Sequence, residues 1–209
     1  MHGMRCEMDV ASHVKCEDFP CADVVSARCT VPAVDVNPDE IGALMISEAP
    51  PPDAGDYFYA PGDPFYVRTT VQAFRQAGLQ VSSIEDVLGL GVYITTAVKC
   101  GKVGYGVCAA TIKNCSELLQ REIGLFPDLK ALLLMGDVAI KALNYIAKRE
   151  TGKRVVPSGS TYKIRVGEYS YGGIRVFPSY LQTGKSFLIE KSKQAMIAED
   201  IRAALQLLD

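Results

Sequence analysis

The 209-residue sequence predicts an α/β protein, a three-layer α/β/α sandwich around a central, mainly parallel four-stranded sheet. Three observations carry that expectation. Short apolar runs without polar alternation occur at 41–49, 92–99 and 131–135, the pattern of strands covered on both faces. Segments with apolar residues at helical spacing lie between them, so strand and helix alternate as parallel crossovers require. The 48% hydrophobic content supplies a core for one such domain, yet no run approaches the roughly 18 apolar residues that span a bilayer.

Residues 1–40 show neither a helical nor a strand period and end in the turn signal Asn37-Pro38-Asp39. They read as an irregular, cysteine-bearing arm packed on a single domain spanning 41–209. Residues 41–49 (IGALMISEA) form the first strand and enter a stiff acidic loop, Pro50-Pro51-Pro52-Asp53-Ala54-Gly55-Asp56. Residues 65–78 place Phe65, Val67, Val71, Phe74 and Ala77 at roughly helical spacing, with Gly78 as a stop. Ser82 and Glu85 have capping-box spacing for a short helical turn. The second strand, 92–99 (VYITTAVK), is rich in β-branched and aromatic residues and ends on Cys100. Asn114 or Ser116 is expected to cap a helix that stops at Gly124. Residues 131–135 (ALLLM) make the third strand, which turns at Gly136 into a helix over about 137–148. Residues 162–175 alternate and read as a hairpin leading into a last strand at 174–177. The final segment, 185–208, reads as one amphipathic helix with Ile189, Met196, Ile197, Ile201, Leu205 and Leu208 on its apolar side.

Composition narrows the function. The net charge of −2 excludes recognition of nucleic acid by bulk charge, so any DNA contact uses a local patch. No GxGxxG follows a strand and no P-loop is present, which disfavours a dinucleotide-dependent dehydrogenase or a kinase. Both histidines, His2 and His13, lie in the arm, so the domain body has none for catalysis. Seven cysteines, an odd number, argue against a complete disulfide framework. The first residues carry acids and cysteines where a signal peptide has an apolar core, so a cytoplasmic protein is expected. Thiolates are the available soft metal ligands.

Four loops would meet at the carboxyl edge of the predicted sheet, where open α/β sheets place their ligands. They carry Ser47-Glu48-Ala49-Pro50-Pro51, with Pro64-Phe65 downstream; Tyr93-Ile94-Thr95-Thr96-Ala97-Val98-Lys99-Cys100; Gly136-Asp137; and Phe177-Pro178-Ser179. In that order they resemble the iron–sulfur class of the uracil-DNA glycosylase superfamily. The family's motifs are a strand ending in Gly-Glu-Ala-Pro-Gly, a downstream Pro-Phe, a strand Tyr-Ile-Thr-Asn-x-Val-Lys-Cys, and a last strand ending in His-Pro-Ser. The family also has a cysteine pair near its N-terminus and a further cysteine some fifteen residues past the Lys-Cys. Cys16 and Cys21 resemble the pair, spaced C-x4-C where the family has C-x2-C, and Cys100 and Cys115 resemble the rest.

The resemblance implies a 4Fe–4S cluster on Cys16, Cys21, Cys100 and Cys115, with Cys29 and Cys108 as spare candidates and zinc as the alternative metal. It implies a flipped base stacked on Phe65. Thr96 stands where the family has the base-reading Asn, Phe177 stands where it has the charge-stabilising His, and Ser179 completes the last motif. Glu48 matches the motif glutamate, and Asp53 and Asp56 are candidates to orient water. Tyr180, Leu181 and Lys185 fall in the segment resembling the DNA-intercalating loop, with Leu181 as the wedge. Lys99, Lys102, Lys113, Lys185, Lys191 and Lys193 are candidates for a phosphate track. The function implied is a DNA repair glycosylase of altered specificity. The alternatives are an inactive nucleic-acid-binding or sensing protein, or a small-molecule enzyme on the same sheet edge. DNA, single-stranded or bearing a damaged base, is the expected partner of a monomer that binds no membrane.

Overall fold

The computed structural model describes residues 7–16, 21–104 and 106–208, and only the backbone of 26–28, 185 and 186. In chain order the elements are β1 (Met8–Asp9), α1 (Val10–His13), β2 (Val24–Cys29), β3 (Asp35–Val36), β4 (Ala43–Ser47), α2 (Phe65–Gln76), α3 (Ile84–Gly89), β5 (Val92–Thr96) and β6 (Cys100–Lys102). Then come α4 (Ala109–Ile123), β7 (Ala131–Met135), α5 (Asp137–Thr151), α6 (Thr161–Ile164), β8 (Tyr169–Tyr171), β9 (Ile174–Ser179), α7 (Lys185–Ile189) and α8 (Lys191–Leu205).

The central sheet has the order β5-β4-β7-β9-β8. The first four strands are parallel, as expected, and β8 adds a fifth, antiparallel strand at one edge. It joins through Gly172-Gly173, both at positive φ (57° and 88°), which a tight type I′ hairpin turn requires. The expected hairpin is therefore shorter than its alternating pattern, because Thr161–Ile164 is a turn of helix.

One face of the sheet, through Leu44, Ile46, Tyr93, Leu132, Leu134 and Val176, shares a core with Ile112, Leu119, Ala139 and Leu143 of α4 and α5. The other, through Met45, Ile94, Leu133 and Met135, packs on Val71 and Phe74 of α2, Val87 of α3, and Ile197 and Ile201 of α8. Crossovers from β4 lead to β5 on one side, and the next strand, β7, lies on the other. The carboxyl ends of β4 and β7 thus flank a topological switch point, where such sheets bind ligands.

Four local expectations are corrected, the first two by longer-range contacts. The arm is not irregular: β1 pairs with β3, and β2 pairs with β6. From it, Asp23 accepts hydrogen bonds from the Cys108 N–H at 2.6 Å and from the Thr111 hydroxyl. That carboxylate sits at the N-terminus of α4, so the helix starts at Ala109 instead of at a cap on Asn114 or Ser116. Ser83 and Asp86, one position beyond the expected pair, close the capping box of α3. The C-terminal helix is broken at Glu190 (φ −103°, ψ 89°), which leaves Ile189 77% exposed and off the apolar stripe.

Candidate functional site

Beneath the carboxyl edge lies a closed polar hub. Lys99 and Glu122 are both fully buried and ion-paired. The Lys99 Nζ also donates to Thr95 Oγ1 at 2.8 Å and to the Thr96 carbonyl at 2.6 Å. Glu122 Oε1 accepts from Tyr93 OH at 2.8 Å and from Thr95 Oγ1 at 2.9 Å. Lys99 is therefore not part of a phosphate track as expected: a fully buried amine committed to a carboxylate, a hydroxyl and a carbonyl cannot reach DNA. The hub fixes the backbone of Thr96 and the start of the segment that leads to Cys100.

Above it, the acids of the first loop divide by role. Asp53 caps the 3₁₀ turn Ala54–Asp56 through the Gly55 N–H at 2.9 Å. Asp56 accepts from the Phe65 and Tyr66 N–H groups and so caps α2. Glu48 keeps its carboxylate at the edge, one-fifth exposed, 3.3 Å from Lys102 Nζ. Phe65 is half-buried at the first position of α2, with the Arg68 guanidinium 5.4 Å from its ring centroid. Its neighbour Tyr66 reaches across the loops, 3.5 Å from the Ala49 carbonyl and beside the Thr183 hydroxyl, and burial pushes its phenol up to about 12.

Thr96 ends β5, fully buried, opposite Ser47 at the end of β4. The Tyr57 phenol, raised well above its ordinary value by burial, faces the Thr96 hydroxyl; the two oxygens do not meet in hydrogen-bond geometry. Phe177 lies under Arg175, whose guanidinium is 4.9 Å from the ring centroid. That guanidinium is committed to the carbonyls of Tyr169, Val176 and Gly167, so it does not stand in for an imidazole. Ser179 points inward and donates to Asp200 at 2.6 Å. Burial raises the Asp200 carboxyl, and Arg165 holds it at 2.7 Å.

Gly136, at φ 95°, closes the β7–α5 turn by donating to the Leu134 and Ser179 carbonyls. A side chain there would meet Leu181, which is half-buried against the turn. Lys193 Nζ lies 5.3 Å from the ring centroid of Tyr180. The side chain of Lys185 lies outside the described residues.

The thiols gather at one end of the β2–β6 ribbon. Cys29 and Cys100 are register partners whose side chains share a hydrogen bond, which lowers the pKa of Cys29 and raises that of Cys100. The Cys16 backbone N–H donates to Cys29, and Cys100 feels the charge of both Cys115 and Cys16. Burial pushes the Cys115 thiol up to about 11, while it accepts the Lys99 N–H at 3.1 Å. Cys21 is half-buried against the same apolar cluster, and Cys108 is exposed beside Thr111. Among the described residues, no three His, Cys, Asp or Glu side chains are already set to hold a metal ion. As a donor set, four thiols from the arm, β6 and α4 suit an iron–sulfur cluster, with Cys29 brought to the group in which the resemblance implied Cys21.

Compared with family models, residues 34–199 match the uracil DNA glycosylase superfamily. The chain belongs to that superfamily. No curated protein matches it. The superfamily match spans β3 to most of α8, and so includes Glu48, Phe65, Thr96, Cys100, Cys115 and Phe177. Cys16, Cys21 and Cys29 precede it. Sequence reasoning missed Ser47, Tyr57, Tyr66, Gln182 and the Lys99–Glu122 pair. The aromatic-rich run Tyr57-Phe58-Tyr59 and a lysine inside a buried strand run were the available signals.

Proposed function

We propose that this superfamily member is a DNA glycosylase of altered base specificity that carries an iron–sulfur cluster and works as a cytoplasmic monomer. It binds DNA, single-stranded or bearing a damaged base, across the carboxyl edge and draws a deaminated or damaged base out of the strand. Water then adds at C1′ of the sugar, the N-glycosidic bond breaks, and the base leaves with a proton. The observation that carries this reading is a buried but unfinished polar surface at that edge. Ser47, Tyr57, Thr96 and Gln182 each have a side-chain oxygen with no hydrogen-bond partner among the described residues. Native cores leave few buried polar atoms without a partner, so several at one sheet edge point to a ligand. Glu48 is the acid left to orient water, since Asp53 and Asp56 are engaged as caps.

Cys16, Cys29, Cys100 and Cys115 would hold the cluster, with Cys21 as the alternative to Cys29. When bound, it supplies a covalent staple between the arm, β6 and α4. Phe177 favours a second reading, in which the fold binds or senses nucleic acid without cleaving it, because an aromatic ring donates no hydrogen bond to the leaving base.

Single-turnover uracil release separates the two. Wild-type protein is expected to be slow on uracil-containing DNA, having neither the amide at 96 nor the imidazole at 177. Thr96→Asn with Phe177→His should raise the rate, the histidine contributing about 10²-fold. A double variant that binds DNA but stays at background would show that the uracil pocket has diverged beyond positions 96 and 177, in the Pro50–Asp56 loop.

A further inference from the structure

Gln182 is fully buried in the loop after β9, a place where a carboxamide needs partners on both of its ends. Its Nε2 donates to the Met45 thioether at 3.3 Å, a weak acceptor, and its Oε1 has no partner. Met45 lies two residues before Ser47 on the same face of β4, and Ser47 is the register partner of Thr96. The Tyr57 phenol faces Thr96 from the first loop. Unpartnered hydroxyls thus stand at the ends of β4 (Ser47) and β5 (Thr96), with Tyr57 facing Thr96 and Gln182 reaching Met45 on the same face of β4. The resemblance places a base-reading amide at position 96, where this chain has threonine. Gln182 brings an amide to the same face of neighbouring β4, at Met45, from a different loop.

Resting on the function proposed above, we infer that Gln182 is the specificity-determining residue, reading a nucleobase with a lactam edge. A lactam presents an N–H beside a C=O, as uracil, hypoxanthine and xanthine do. A carboxamide matches it with Oε1 as acceptor and one Nε2 hydrogen as donor, while the other Nε2 hydrogen keeps its bond to Met45. Cytosine and adenine present an unprotonated ring nitrogen beside an amine. Against a fixed amide they match only after it rotates by half a turn, which would bring Oε1 onto the Met45 sulfur. Ser47, Thr96 and Tyr57, each able to donate or accept, complete the polar lining without choosing the edge.

The test compares affinities of the full chain for oligonucleotides that differ in one uncleavable 2′-fluoroarabino nucleotide, bearing uracil, hypoxanthine, cytosine or adenine. Wild type should favour the two lactam bases over the other two by about 10-fold or more, since a mismatched edge leaves buried groups unpaired. Gln182→Leu should bring that ratio close to one. Gln182→Glu, which keeps the volume and loses the donor, should also lower it and serves where the leucine variant unfolds. A lactam preference that survives both substitutions overturns the role of Gln182 and leaves the glycosylase reading standing. A wild-type preference for cytosine or adenine does the same. No preference among any of the four, with binding equal to that of undamaged DNA, would sink the reading of the edge as a base site along with this inference.

Discussion

Replacing Lys99 with methionine is expected to lower stability by about 3–5 kcal/mol, measured by denaturant unfolding at neutral pH. The variant leaves the Glu122 carboxylate fully buried without its cation, holding only the Tyr93 and Thr95 hydroxyls. Breaking a buried pair costs far more than the pair contributes, because desolvation of the orphaned charge is no longer offset. The double variant Lys99→Met, Glu122→Leu should therefore recover most of the loss. Thr96 would feel the single change as well, since its carbonyl accepts from Lys99 Nζ. A single variant within 1 kcal/mol of wild type would show that the hub does not hold this part of the fold.

The second large effect concerns the thiols. Anaerobically purified protein should be brown, with about four irons per chain for one 4Fe–4S cluster. Cys29→Ser, Cys100→Ser and Cys115→Ser should each lose iron and loosen the arm, read as faster proteolysis of residues 1–40. Cys108→Ser and Cys6→Ser should not. Cys21→Ser decides between the two readings of the fourth ligand: retained iron supports Cys29, and lost iron returns the site to the pair the resemblance implies. Colourless protein with stoichiometric zinc would remove the iron assignment and keep the staple. Equal stability of the Cys29, Cys100 and Cys108 variants, with no metal in any of them, would show that nothing bridges those segments.

The parallel core was legible because its strands are covered on both faces and so read as continuous apolar runs; 131–135 is found where it was expected. Even β8 left a trace in Gly172-Gly173. The arm was not legible. Val24–Cys29 owes its strand to Cys100–Lys102, and α4 starts at Ala109 because Asp23 caps it from 85 residues away. Local periodicity contains neither fact. Motif order brought Glu48, Thr96 and Phe177 to one edge of the sheet, yet it could not show that Asp56 is engaged at α2 or that Lys99 is sealed onto Glu122. Those depend on which groups the fold buries, and burial is a property of the assembled layers. Gln182 is the plainest case: a polar residue in a loop reads as surface, and only the packed structure encloses it.

On the function proposed above, the carboxyl edge removes a base from DNA. Its most direct measurement is release of free base, under single-turnover conditions, from a panel of single- and double-stranded DNAs. Each would hold one uracil, hypoxanthine, xanthine or oxidised base. Release of at least one deaminated base is expected well above the uncatalysed rate, with uracil a poor substrate, and that release should be lost in Glu48→Gln. No release from any member of the panel by iron-replete protein that binds the same DNAs would contradict it.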